Sequence, residues 1–67
     1  MNEDISSAVQ KEIARIRNMV STAKFMVPNA NVNFAVYEVM IAEAERAVRE
    51  QDATALVRLL PELQEMQ

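Results

Sequence analysis

Few side chains in this sequence can do covalent chemistry, and none has the neighbour it would need. The hydroxyls are Ser6, Ser7, Ser21, Thr22, Thr54 and Tyr37, and there is neither a histidine nor a cysteine. A serine or threonine nucleophile must be activated by an adjacent base, and the usual base is missing. Glu38, Glu43 and Glu45 lie close together along the chain, as paired carboxylates for acid–base work would. Such work needs a pocket that pushes the two pKa values apart, and no segment is left over to build one. These acids therefore read as a solvated helix face.

Metal and cofactor chemistry meet the same obstacle. Structural zinc wants cysteine or histidine, and a carboxylate metal site wants a Glu-x-x-His pattern or inward-turned acids. Glycine is absent, so the phosphate-cradling P-loop and dinucleotide turns cannot form. The expectation is a protein that is not an enzyme, with no metal, no cofactor and no small-molecule substrate.

With catalysis set aside, the elements carry the reading. The lack of glycine argues against β-hairpins and barrels, while Ala, Glu, Gln, Arg, Met and Leu favour helix. The expected class is all-α: an antiparallel helical hairpin with a short third C-terminal helical segment, dimerising into a helical bundle. The 67 residues are expected to form a single small helical domain, with helix 1 over about 5–27, a turn over 28–32, helix 2 over about 33–51 and helix 3 over about 53–65.

Helix 1 is predicted from Val9, Ile13, Ile16, Val20, Ala23 and Val27, which alternate four and three residues apart. Ile5, Met19 and Met26 widen that seam. Pro28 disfavours helical geometry at Val27 and ends the helix. Pro28-Asn29-Ala30-Asn31 is the turn, and Asn31 or Asn33 is expected to cap the second helix. Helix 2 has its seam at Phe34, Tyr37, Ile41, Ala44 and Val48, with Glu45–Arg49 and Arg46–Glu50 spaced for pairing on its outer side. Phe25 and Phe34 flank the turn and are expected to close the end of the hairpin. Asp52 caps helix 3, whose greasy face is Leu56, Leu59, Leu60 and Leu63. Pro61 is expected to kink or split that helix.

Charge supports a hairpin. Lys11, Arg15, Arg17 and Lys24 against Glu12 give the first helix +3, whereas three arginines against six glutamates and Asp52 give −4 beyond Pro28. Across the chain the net charge is −3, which disfavours nucleic acid. The second helix is also acidic and apolar where a DNA-reading helix is basic and polar. The basic, amphipathic first helix could lie on an anionic membrane, but a core-facing helix needs the same apolar stripe. No apolar run reaches spanning length, and the acidic start Met1-Asn2-Glu3-Asp4 does not look like a secretory signal. Neither nucleic acid nor membrane is expected as a partner, and the expected location is cytoplasmic.

The segment from Val32 to Ala44 is greasier than one packing face requires. Val32, Val36 and Val39 follow at helical spacing and form a second stripe, with Met40 beside it. A chain this short has little interior to hide such a stripe, and no disulfide to offset a small core. Either helix 3 folds back over it, or another chain does. The second is the expectation, with a protein interface at Val32, Val36, Val39, Met40, Tyr37, Phe25 and Met26. The first partner expected is a second copy, packed through the second helix, and a larger protein comes after it. In size and architecture alone the chain resembles small helical-hairpin adaptors, such as co-chaperones of secretion-needle proteins and phage-encoded inhibitors. That resemblance implies a regulator, inhibitor or co-chaperone-type adaptor. A self-assembling structural subunit is the alternative, and a nucleic-acid-associated regulator a more distant one.

Overall fold

The computed structural model describes residues 4–27 and 34–66, and the described chain is helical throughout apart from caps and turns. Among these residues three helices succeed one another: α1 (Ile5–Met26), α2 (Ala35–Glu50) and α3 (Ala53–Glu65). No strand occurs among the described residues.

Local chemistry accounts for most of the ends. The Asp4 carboxylate accepts from the Ser7 N–H at 2.8 Å, which satisfies one orphan donor at the start of α1. Asp52 does the same for α3 by accepting from the Ala55 N–H at 3.1 Å. α2 is the exception. Its N-cap is Phe34, whose ring cannot accept such a bond and whose side chain makes none. The expected caps Asn31 and Asn33, like the rest of the turn, lie outside the described residues. α3 runs unbroken through Pro61, so of the kink or split expected there, the split does not occur.

Each helix contacts the other two, most extensively α1 with α3. The core between them is Val9, Ile13, Ile16 and Val20 from α1, Ile41, Ala44 and Ala47 from α2, and Ala55, Leu56, Leu59 and Leu63 from α3. Ala47 and Ala55 have no place in the expected seams. They are small residues buried at 0% and 6% exposure. Among the described residues, no polar or charged side chain is buried.

Ion pairs sit around the rim of this core. Arg17 pairs with Glu45, and Lys24 with Glu38 at 3.0 Å, both joining α1 to α2. Glu45 thus reaches across the hairpin instead of pairing with Arg49 as its spacing suggests, because the neighbouring helix presents Arg17 to it. Arg46–Glu50 forms as expected at 2.9 Å. Arg58 joins α3 to Glu43 at 2.7 Å, and its hydrogen bond and charge contact with Glu43 raise its pKa above the ordinary arginine value. All these pairs are exposed, so each adds little to stability. One hydrogen bond ties down the end of α3: Arg15 donates from Nη2 to the Leu63 carbonyl at 2.8 Å.

Candidate protein-binding surface

The three helices differ in length, and that mismatch creates the surface. α1 has 22 residues and α3 has 13, about 33 Å against about 20 Å at 1.5 Å per residue. The last buried residue of α1 is Val20 and the first of α2 is Ile41. Beyond that level, Ser21–Val27 and Phe34–Met40 form a two-helix end with nothing fully buried.

This end is greasy. Phe25 is 85% exposed, Met26 69%, Val27 55%, Val36 58% and Val39 63%. Singly scattered exposed hydrophobics are ordinary, whereas these five all lie on the uncovered ends of two helices. The helical repeat explains the arrangement. Phe25 lies on the opposite side of α1 from Ile16 and Val20, and Val39 on the opposite side of α2 from Ile41 and Ala44. Met26 and Val36 lie in register with Arg15 and Glu43, the residues through which α1 and α2 bond to α3. They therefore flank the α3 side of the hairpin, past the level α3 covers.

Only Lys24 and Glu38 are charged anywhere between Asn18 and Ala42. They pair with each other, and the Lys24 ammonium also lies 5.3 Å from the centre of the Phe34 ring. Phe34 in turn meets Tyr37, with ring centres 6.5 Å apart. The charges of the tip therefore satisfy each other, and its other residues are uncharged.

The interface expected from sequence divides accordingly. Val36, Val39, Phe25 and Met26 all lie on the hairpin end and are open to solvent, Phe25 and Val39 on the outward sides of their two helices. Tyr37 and Met40 are half-buried, packed against the core beneath that patch. Val32 lies outside the described residues. Phe25 does not close the hairpin, contrary to expectation. Its register turns it outward, and the closing contacts come from Phe34, Tyr37 and Lys24. Val27 and Met26, placed in or beside the α1 seam, are exposed because the core ends one to two turns earlier. The fold-back of α3 over the valines does not form, since α3 lies against the seams and leaves Val36 and Val39 uncovered.

Val57, 62% exposed on α3, is not among the expected interface residues. The available signal is its place outside the face formed by Leu56, Leu59, Leu60 and Leu63.

Among the described residues, no group of three or more acidic side chains is placed to hold a metal ion. None of their helices is long and apolar enough to cross a membrane. A shallow depression between α1 and α2 is lined by Arg17, Lys24, Glu38 and Glu45, whose charges are already paired across it. No protein-family model, curated protein or solved structure matches the chain.

Proposed function

We propose that this protein is a non-catalytic protein-interaction module, a small regulator, inhibitor or co-chaperone-type adaptor that works through the apolar end of its helical hairpin. The observation that carries this reading is the exposure of Phe25, Met26, Val27, Val36 and Val39, all on the hairpin end past the last buried residues Val20 and Ile41. Clusters of aromatic and aliphatic side chains around a well-packed base are where protein interfaces concentrate their energy. The bundle beneath supplies a rigid base, and the flexible methionines let the surface adapt to a partner.

The experiment is a capture comparison from the native host. Wild-type protein and the double variant Phe25→Glu/Val39→Glu are immobilised side by side. A partner retained by the first and lost by the second supports the reading. Equal retention by both places the binding surface elsewhere. A low-salt gel shift that moved a DNA or RNA band would favour the nucleic-acid alternative instead.

A further inference from the structure

We infer that α3 is an exchangeable arm: two copies of the chain trade it, α2 and α3 straightening into one helix whose α3 half seats on the other copy's hairpin.

The hinge is where sequence and backbone disagree. Only Gln51 and Asp52 separate α2 from α3. The α1–α2 connection carries Pro28, Asn29 and Asn31, whereas from Ala42 to Leu60 there is neither proline nor glycine to stop a helix. Glu50, Gln51 and Ala53 are good helix formers. The chain turns here because Gln51 takes φ 55, the one positive φ among the described residues. A residue with a Cβ is disfavoured in that geometry. Right-handed geometry at Gln51 and Asp52 makes Ala35–Glu65 a single helix, about 46 Å long at 1.5 Å per residue. The last carbonyls of α2 then accept from the first N–H groups of α3. Those bonds replace the Asp52 cap and the bonds of the left-handed turn.

The topology lets the arm move without a new interface. Arg58 of α3 meets Glu43 of α2, and Leu56 shares a depression with Val48, so the two helices run antiparallel about a level close to Gln51. Two straightened helices related by a two-fold axis through that level lie antiparallel in the same way, each α3 half beside the other copy's α2. The contacts of α3 are kept, now between chains: Leu56, Leu59 and Leu63 in the core, the Arg58–Glu43 pair, and the Arg15 bond to the Leu63 carbonyl. Exchange of an identical element is a low-cost route to a dimer, and short hinges under strain invite it.

Charge does not oppose the meeting of the hinges. The stretch from Arg46 to Asp52 holds two arginines and two acids, so each hinge is neutral. Because α2 runs from the hairpin end to the hinge, the exchanged dimer carries one hairpin end at each pole. Only this consequence, a two-headed form of the binding surface, rests on the function proposed above.

The test follows the hinge. Sedimentation equilibrium is run up to about 1 mM, where mass action favours the dimer. Ala53 opens α3, where the missing N–H of a proline costs nothing, but inside a continuous helix a proline there strands the Arg49 carbonyl. Ala53→Pro should therefore weaken the dimer by about tenfold or more, since two hinges are affected. Gln51→Gly, which eases the left-handed turn and adds no ring, should do the same. Asp52→Ala removes a cap that only the closed form uses, and should tighten the dimer by about tenfold or more. Val39→Glu should leave it unchanged.

Cross-linking reads the topology, and the absence of cysteine keeps it clean. Glu43→Cys and Arg58→Cys chains, mixed at high concentration and treated with a short bis-maleimide, should give a linked dimer that neither variant gives alone. Wild type and Asp52→Ala that both stay monomeric at the top concentration would overturn the exchange. So would a dimer indifferent to all three hinge variants, or one abolished by Val39→Glu, which marks a surface contact. Any of these leaves the capture comparison at the tip unaffected, so the two readings fail separately.

Discussion

Gln51 adopts left-handed backbone geometry at the end of α2, with φ 55 and ψ 41. Its N–H bonds the Val48 carbonyl at 3.2 Å, and the Asp52 N–H bonds the Ala47 carbonyl at 2.9 Å. This double bond closes a helix in the Schellman manner, a position glycine usually occupies. In a chain with no glycine, a residue with a Cβ must take it, at about 1–2 kcal/mol. Gln51→Gly should relieve that strain while adding freedom to the unfolded chain, a net stabilisation of about 0.5–1 kcal/mol. A urea midpoint that stays still or falls would contradict it. Ile16→Asp tests the core at a single position. Ile16 is fully buried among aliphatic neighbours, so an aspartate there should unfold the chain. Retained helical circular dichroism with a cooperative melt would count against this. At this scale Asp52 was legible as a cap because its carboxylate has an obvious role. Gln51 was not, since nothing in a glutamine side chain announces left-handed geometry.

Among the elements, α3 is the piece that makes the molecule more than a hairpin. Its leucines fill the space between α1 and α2, and Leu59 is fully buried. Leu59→Ala should cost about 2–5 kcal/mol, enough to threaten a domain of this size. Thermal melts would show it, and a loss under about 1 kcal/mol would mean that α3 packs loosely. Pro61 stands inside α3 without an N–H for the Val57 carbonyl. Val57 is exposed, so water can serve that carbonyl and the helix survives. Pro61→Ala should restore the bond and stabilise by about 1–3 kcal/mol. A destabilised variant would show that the ring itself packs usefully. Residue order alone does not choose between a kinked, split or continuous α3, because the cost of a helix proline depends on whether solvent reaches the carbonyl it strands.

For the whole molecule, charge and grease occupy different ends. If a partner docks on the tip through apolar contact, raising sodium chloride from about 50 to 500 mM should leave its dissociation constant within about threefold. A loss of about tenfold or more would show that charges hold the interface. Sulfate should tighten it instead. Val36→Glu, at an exposed position, should change stability by no more than about 0.5 kcal/mol while weakening partner capture.

The residue pattern alone determined three helices, their apolar seams and the nearly uncharged span from Asn18 to Ala42. These are local properties, set by a 3.6-residue repeat, a cap or a proline. It also showed that Val36 and Val39 belong to a second stripe on α2. Whether that stripe is covered depends on how far α3 reaches along the groove, which is a long-range matter of register. α3 seats its leucines against Ile16, Ile41 and their neighbours, and the buried core ends at Val20 and Ile41. That placement, decided only in three dimensions, exposes Val27, expected in the seam, along with Phe25 and Met26, which were also expected at the interface.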